Sequence, residues 1–252
     1  NGNRTGRPMG AWKEIGRMET ILSVEHLMIS FSQYERGWRK IQLPVIRDLS
    51  INIKGHEIVA VVGSSGSGKS LLAHAVMPAN ASWKGRIAFK GEELTGKRVG
   101  ELRGRQMVLV PQSVSYLDPL MKVGDQVRRG HKDGISRARS REVLGRYGLG
   151  EDTEELYPFQ LSGGMTRRVL ISTAVMEKPE LVIADEPTPG LHISAAKRGL
   201  SHFREIADGG AGVLLITHDL ELALQVADRI VVFYAGTNVE EAAVSDFQKE
   251  ER

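Results

Sequence analysis

The feature that most constrains the fold is a glycine- and serine-rich segment, GSSGSGKS, at residues 63–70. It follows the apolar run Ile58–Val62, which is typical of a strand buried on both faces of a parallel sheet. Residues 71–77 come next and predict a short helix that stops at Pro78. Every fixed position of the pattern G-x-x-x-x-G-K-[ST] is matched, so the sequence predicts a phosphate-binding loop between a strand and a helix.

The residue types in this loop suit the phosphates of a nucleotide. Glycines permit backbone angles that turn successive N–H groups toward phosphate oxygens, and the following helix adds the positive end of its dipole. Lys69 can reach the β- and γ-phosphates, and the Ser70 hydroxyl can ligate Mg²⁺. The alternative is a glycine- and serine-rich loop that contains a lysine by chance. Such a loop would not also need a buried strand before it and a helix after it, so we interpret the segment as a nucleotide-binding loop. The residues expected to contact the nucleotide are Gly63, Ser64, Ser65, Gly66, Ser67, Gly68, Lys69 and Ser70.

Two adjacent acids supply a second part of the predicted site. Asp185 and Glu186 directly follow the apolar run LVIA at residues 181–184. Carboxylates at the C-terminal end of a strand face the crevice where open α/β sheets bind ligands. We expect Asp185 to hold Mg²⁺, directly or through water, and Glu186 to accept a proton from an attacking water. An Asp-Glu pair alone is usually a solvated turn, but this one accompanies a phosphate-binding loop.

The order of strand and helix signals predicts an α/β fold with a parallel sheet covered on both faces. Between residues 111 and 178, helix formers replace β-branched runs, which predicts a helical insertion. Residues 33–40 are polar and predict a loop. Strands are expected at residues 21–30, 45–53, 58–62, 86–90, 106–110, 181–184, 213–216 and 230–233, and helices at 71–77, 136–147, 164–176, 194–207 and 220–227.

Composition excludes several other classes of protein. The chain has no cysteine, which rules out disulfides, thiolate metal sites and cysteine nucleophiles. Its net charge of +3 over 252 residues does not indicate nucleic-acid binding. No apolar run approaches the roughly 18 residues that a membrane-spanning helix needs. Residues 1–17 are basic and glycine-rich without an apolar signal core, so they predict a disordered leader, with Met18 a candidate natural start.

Three further motifs identify a family. The segment LSGGM at residues 161–165 resembles the LSGGQ signature of ATP-binding cassette (ABC) proteins, and it lies between the phosphate loop and the Asp-Glu strand, as in that family. Gln112 matches the glutamine of the family's Q-loop, and His218 matches its switch histidine. Each residue alone would be ordinary: Ser162, for example, could be a helix N-cap. Their joint order is what carries the resemblance.

The resemblance implies an ABC ATPase architecture over residues 18–247, with a tail at 248–252. Its core is a P-loop, RecA-like parallel sheet, joined by an antiparallel β subdomain and by the helical insertion at about 111–178. It also implies a head-to-tail dimer with ATP and Mg²⁺ between two cassettes. One chain would supply Lys69, Ser70, Gln112, Asp185, Glu186 and His218, with Ser70, Gln112 and Asp185 near the metal, and the other would supply Ser162, Gly163 and Gly164.

Two aromatic or apolar sets extend this expectation. Tyr34, or alternatively Phe31, would stack on adenine, while a second interpretation of Tyr34 is a surface loop aromatic. Tyr116, Leu117, Leu120 and Met121 form an apolar cluster beside Gln112. In the family this part of the insertion docks on the permease, so the cluster suits a groove for a short permease helix. The alternative is an internal core of the insertion.

The stretch from residue 161 to 188 looks most like cassettes of oligopeptide, dipeptide and nickel importers, since Met165 replaces glutamine and KPELVIADEPT follows. Such a subunit sits on the cytoplasmic face of the membrane, bound to permease subunits and a second ATPase, and depends indirectly on a solute-binding protein. The chain stops at Arg252 without the extension common in peptide members. This slightly favours nickel or a metal chelate, although a truncated peptide member would look the same. The alternatives are an exporter or lipid-extraction ATPase, or a soluble ABC protein without a transport role.

One position departs from the family pattern. After residues 185–188 the family usually has Leu-Asp, whose aspartate reaches across the dimer, whereas this chain has His192 in the aspartate's place. This departure concerns communication between the two ATP sites rather than hydrolysis at this chain's own site. The alternative is drift at a tolerant interface position.

Overall fold

A computed structural model describes residues 19–35, 39–77, 83–187 and 193–246. These ranges contain ten strands and seven α-helices. The strands are β1 (Thr20–Glu35), β2 (Arg39–Lys54), β3 (Ile58–Val62), β4 (Trp83–Phe89), β5 (Glu92–Glu93), β6 (Met107–Val110), β7 (Leu181–Asp185), β8 (Gly212–Thr217), β9 (Arg229–Tyr234) and β10 (Thr237–Ala243). The helices are α1 (Lys69–Val76), α2 (Gly96–Leu102), α3 (Val123–Val127), α4 (Gly134–Arg146), α5 (Gly163–Val175), α6 (Ile193–Asp208) and α7 (Leu220–Val226).

The ten described strands form one sheet in the order β5-β4-β1-β2-β10-β9-β3-β8-β7-β6. Strands β9, β3, β8, β7 and β6 are parallel neighbours, whereas β1 pairs antiparallel with both β2 and β4. The β9–β10 pair is also antiparallel, and β10 meets β2 at a single parallel pair, Thr237 with Asp48. The sheet therefore has a parallel half and an antiparallel half that join at β10.

The parallel half is apolar on both faces because each strand sends alternate side chains into a different core. In β3, Val59 and Val61 pack in one hydrophobic cluster with α1 and the antiparallel half, whereas Ile58, Ala60 and Val62 pack in a second cluster with α6 and α7. All five residues are buried. This double burial is the physical reason for the continuous apolar run that the sequence shows.

Between β6 and β7 the chain leaves the sheet and forms a helical layer. Helices α3, α4 and α5 lie in this segment, with three 3₁₀ turns at Val114–Tyr116, Glu151–Glu155 and Pro158–Gln160. A third hydrophobic cluster fills this layer and includes Val123, Val127, Leu144 and Val169. Glu154 is buried there and accepts from two guanidinium groups, those of Arg128 and Arg141, at 2.7 and 3.1 Å.

The predicted elements are present, with shifted ends and one error. Residues 33–40 were expected to form a loop, but β1 extends to Glu35 and β2 begins at Arg39, with Gln33 paired to Ile41 and Tyr34 to Lys40. A long antiparallel ribbon can hold polar residues because much of its surface faces water. Helices α2 and α3 and strands β5 and β10 were not predicted. The expected leader 1–17 and the tail 248–252 lie outside the described residues, and the domain limits stay a prediction.

Candidate functional site

The loop between β3 and α1 has the backbone geometry of a phosphate cradle. Gly66 and Gly68 have positive φ angles of 77° and 100°, in the left-handed region that favours glycine. Gly63 has a steric role, because a Cβ there would lie 2.3 Å from the Phe233 carbonyl oxygen. No side chain caps the N terminus of α1 by a hydrogen bond. The Leu71 N–H donates to the Gly68 carbonyl at 3.0 Å. The N–H groups that precede it lie at the helix end, where an anion can accept from them.

Lys69 is the buried cation of the loop. Its Nζ donates to the carbonyl oxygens of Gly63 and Ser64, both at 2.8 Å. Burial lowers the pKa of Lys69, and the charges of Glu186 and Asp185 act in the opposite direction. The ammonium is thus held at the loop by neutral carbonyls and by carboxylates that do not contact it directly.

Asp185 meets the loop from the end of β7. Its Oδ1 accepts a hydrogen bond from the Ser70 hydroxyl at 2.9 Å. Burial raises the pKa of the Asp185 carboxyl, and the bond from Ser70 partly counters this effect. A residue from α1 and one from β7 therefore place two oxygen atoms side by side, which are the ligand type that Mg²⁺ prefers.

Glu186 lies next to His218 although the two are 32 residues apart in the chain. The Glu186 Oε2 and the His218 Nδ1 are 2.8 Å apart. Glu186 is buried, with a positive φ of 44°, and its N–H donates to the Ile216 carbonyl at 2.9 Å. A non-glycine residue in this region carries backbone strain, and such strain collects at functional sites. The turn aims the carboxylate at the histidine, which is itself exposed.

Gln112 and the signature residues lie in the insertion rather than at the loop. Gln112 is exposed and borders a cavity of about 10 Å³, about the room of one water molecule, together with Arg167 and Pro187. Ser162 caps α5, since its Oγ accepts from the Met165 N–H at 3.3 Å. Ser162, Gly163 and Gly164 are exposed. Within the described residues, no hydrogen bond joins these three to the phosphate loop.

The remaining predicted residues are placed as follows. Tyr34 lies on β1 with 67% of its surface exposed, and Phe31 is 45% exposed. Both are free to contact a ligand, but no contact in the described residues assigns either one to adenine. Ser64, Ser65 and Gly66 are exposed at the tip of the loop, and Ser67 and Gly68 are half-buried. His192 lies outside the described residues.

The loop fits a nucleotide and Mg²⁺ by its unpaired groups. Within the described part of the chain, the buried Ser67 Oγ has no hydrogen-bond partner. A phosphate oxygen would supply one and would also accept from the uncapped N terminus of α1. The described residues contain no cluster of three or more His, Cys, Asp or Glu side chains suited to a metal. A magnesium site on Ser70 and Asp185 needs no such cluster, because phosphate oxygens and water complete its coordination.

The parallel sheet, the loop and the Asp-Glu turn define a P-loop nucleotide-binding protein, and the signature helix narrows that class. The sequence pattern of the family described as ABC transporter matches residues 46–189. This chain belongs to that family. It is therefore an ATPase, the ATP-binding subunit of an ABC transporter.

Relatives and solved structures agree with this assignment. The chain is 36% identical over 245 residues to the oligopeptide transport ATP-binding protein OppD of Lactococcus lactis, which covers 90% of this chain and 71% of that protein. It is 36% identical over 241 residues to the dipeptide transport ATP-binding protein DppD of Bacillus subtilis, covering 88% and 70%. A dimeric structure of the cassette MJ0796 bound to ADP and Pi superimposes with a TM-score of 0.76 at 25% identity, covering 89% and 99%. A structure of another ABC transporter's ATP-binding subunit gives 0.72 at 26%, covering 92% and 93%.

Two parts of the site were not assigned from the sequence. The steric role of Gly63 against the Phe233 carbonyl needs the pairing of β3 with β9, which no local pattern gives. Arg167 lies beside Gln112, and its Nη1 donates to the Pro187 carbonyl at 2.5 Å. Its only signal in the sequence is the pair of arginines that follows LSGGM, and nothing in that pair indicates a role at the site.

Proposed function

We propose that this chain binds ATP with Mg²⁺ at the β3–α1 loop and hydrolyses it with Glu186 as general base. The observation that carries the proposal is the pair of contacts that brackets the loop, Ser70 with Asp185 and Glu186 with His218. One pair supplies oxygens for a cation, and the other supplies a carboxylate for a proton. Few arrangements other than nucleotide hydrolysis need both beside a phosphate cradle.

The residues have separable roles in that reaction. A water attacks the γ-phosphorus, its proton passes to the Glu186 carboxylate, and the bond to the ADP oxygen breaks. His218 holds the Glu186 side chain through the 2.8 Å contact. The Lys69 ammonium gives up its hydrogen bonds to the Gly63 and Ser64 carbonyls and donates to phosphate oxygens instead. Phosphate oxygens are negatively charged and therefore form stronger hydrogen bonds with an ammonium than neutral carbonyls do. Mg²⁺ bound by Ser70 and Asp185 would neutralise charge on the phosphates, and Gln112 would join this site from the insertion.

The active state is a head-to-tail dimer. Ser162, Gly163 and Gly164 are exposed at the start of α5, so a second cassette can bring its phosphates to this helix N terminus. The partner is a second copy or a companion ATPase. The similar MJ0796 cassette is dimeric in its ADP- and Pi-bound structure, which supports the arrangement.

We further propose that the subunit drives peptide import through a membrane permease. Two similar relatives are named as oligopeptide and dipeptide transport proteins. Within the described residues, no helix is both long and apolar enough to cross a membrane. The chain would then reach the cytoplasmic face of the membrane by binding permease subunits. Nickel or a metal chelate remains the second solute class to test.

The docking surface for the permease is the apolar cluster beside Gln112. Leu117 is buried, but Tyr116, Leu120 and Met121 are exposed by 58%, 87% and 41%. A groove of about 450 Å³ borders Tyr116, Leu117 and Met121 and continues to α5. An exposed apolar cluster beside a groove suits an amphipathic partner helix.

The absence of cysteine makes a clean test, because any introduced cysteine is the only thiol in the chain. Leu120→Cys should cross-link to the permease in membranes that contain the assembled transporter. Ile135→Cys is the matched control, since Ile135 is 83% exposed but lies on α4. Cross-links from position 135 and none from position 120 would contradict the docking surface.

A separate experiment decides the solute class. Uptake of a labelled peptide is compared with uptake of ⁶³Ni²⁺ by the same transporter in proteoliposomes.

A further inference from the structure

Arg167 connects two parts of the molecule that the proposed reaction must bring into register. It lies on α5, five residues after Ser162. Its guanidinium donates to the carbonyl oxygen of Pro187, the residue directly after Glu186, at 2.5 Å. Arg167 is half-buried, and burial lowers its pKa. Helix α5, which begins at the signature residues 162–164, is thus bonded to the turn that orients the Glu186 carboxylate.

The junction around this bond is tightly packed. Arg167 and Pro187 close a cavity of about 10 Å³ whose wall also includes Gln112, so the space admits about one water molecule. Pro187 is buried, and its carbonyl needs a donor because water has little access to it. Since Glu186 is held at a positive φ of 44°, the position of the next carbonyl bears directly on where the Glu186 carboxylate points.

The neighbouring arginine gives a natural contrast. Arg168 donates to the carbonyl oxygens of Tyr147, Gly148 and Gly164, all of which lie in the helical insertion. The two side chains share a helix and a charge but bond different parts of the chain. Arg168 holds the insertion to itself, whereas Arg167 holds the insertion to the end of β7.

We propose that Arg167 is a positioning residue that transmits the placement of the signature helix to Glu186. When a second cassette binds nucleotide at residues 162–164, or the permease moves the insertion, α5 shifts and carries the Pro187 carbonyl with it. A planar guanidinium suits this role better than an ammonium, because its donors are fixed in direction. The inference rests on the proposed role of Glu186 as base.

The test is the ATPase activity of the full chain with Arg167→Gln. Misplacing a base by about 1 Å costs up to roughly a hundredfold in rate, so we expect kcat to fall by roughly ten- to a hundredfold. The KM for ATP should stay within about twofold, because the phosphate loop is untouched. Arg167→Lys keeps one charged donor and should recover part of kcat. If Arg167→Gln does not fold, Arg167→Lys carries the test, with kcat lowered and KM unchanged.

A double-mutant cycle separates positioning from general loss of structure. In a Glu186→Gln background, Arg167→Gln should reduce the residual single-turnover rate no further, because the carboxylate it positions is gone. Any loss caused by Arg168→Gln should persist in that background. The proposal is overturned if Arg167→Gln leaves kcat unchanged, or lowers it equally with and without Glu186. An unaffected rate in Glu186→Gln itself would instead refute the proposed function.

Discussion

The phosphate-loop side of this molecule and its signature side differ in how their polar groups are held. On the loop side, Ser70 bonds Asp185, Glu186 bonds His218, and Lys69 is held by backbone carbonyls. On the signature side, the Ser162 hydroxyl accepts within its own helix, from the Met165 N–H. One side is assembled within a single chain, and the other presents exposed groups that a nucleotide on a second cassette can meet.

This difference predicts where single substitutions act. A change on the loop side should affect what one chain does alone, such as binding ATP. A change on the signature side should leave nucleotide binding intact and act only when two cassettes meet. The link between the sides is at the Arg167–Pro187 bond, which is why that bond is worth testing separately.

The largest effect on ATP binding is expected from Lys69→Ala. The variant loses the buried ammonium that would face the phosphates, and truncating one partner of a buried charge pair typically costs about 2–5 kcal/mol in binding, or roughly 30- to 4,000-fold. ATP affinity, measured by titration with a fluorescent analogue, should fall by about that factor. Lys84→Ala is the control, because Lys84 is exposed on β4. The Lys84→Ala protein should bind ATP with the affinity of the parent. Unchanged affinity in Lys69→Ala would remove the phosphate-loop interpretation.

Glu186→Gln should separate chemistry from binding on the same side. Glutamine keeps the shape but not the basic carboxylate, so hydrolysis should fall by roughly 10²–10⁴-fold while ATP affinity is retained. Without hydrolysis, and with less negative charge beside the γ-phosphate, the ATP-bound dimer should accumulate. Phosphate release and size-exclusion chromatography, with and without a companion ATPase, measure the two effects. Glu142→Gln, at an exposed position of α4, is the control. Near-parental hydrolysis by the Glu186→Gln protein would exclude Glu186 as the base.

The signature side is tested by Ser162→Asp. Aspartate is as good an N-cap as serine, so α5 should keep its stability, but a carboxylate now faces the partner's γ-phosphate. We expect unchanged ATP binding and hydrolysis reduced by at least roughly tenfold. Mixing the Ser162→Asp chain with the Lys69→Ala chain should restore activity. In a mixed head-to-tail dimer, the intact loop of the Ser162→Asp chain faces the intact signature of the Lys69→Ala chain, so one of the two sites is complete. A mixture no more active than its two components would contradict the head-to-tail arrangement.

The same contrast explains how far the sequence alone could predict this molecule. The loop and β3 were predictable because their signals are local: five consecutive buried apolar residues, then glycines at fixed spacing. The Glu186–His218 contact follows from the parallel pairing of β7 with β8, which sets Asp185 opposite Ile216. That pairing joins residues far apart in sequence, so no motif shows its register. The family resemblance placed Glu186 and His218 in one site, but it did not give the register or the contact.

The errors have a related cause. Residues 33–40 look like a loop because they are polar, yet pairing across the long β1–β2 ribbon makes most of them strand. The Arg167–Pro187 bond joins a helix to a turn 20 residues later, and nothing in either segment specifies the partner. Local patterns thus predicted most of the elements, whereas the contacts between elements required the folded chain.

The smallest predicted effect concerns the stability of the nucleotide-free chain. Burial raises the pKa of Asp185 in the folded state, so the charged form that prevails at neutral pH is held at a cost. Asp185→Asn removes that charge, and its amide oxygen can still accept from Ser70. We expect the melting temperature at pH 7 to rise by a small amount, of the order of 2–4 °C for a domain of this size.

The difference in melting temperature between Asp185→Asn and the parent should depend on pH in a definite direction. As the pH falls through the raised pKa, the folded parent protein takes up a proton and recovers the lost stability, so the advantage of Asp185→Asn should shrink and vanish below the unfolded value of about 3.9. Scanning calorimetry between pH 7 and pH 4 measures it, with Asp152→Asn on an exposed turn as the control. Mg²⁺ with ATP should stabilise the parent more than the variant, because only the parent keeps the carboxylate. A melting temperature that drops at pH 7 would show that the Asp185 charge stabilises the empty loop, and the loop side would then depend on that charge even without its metal.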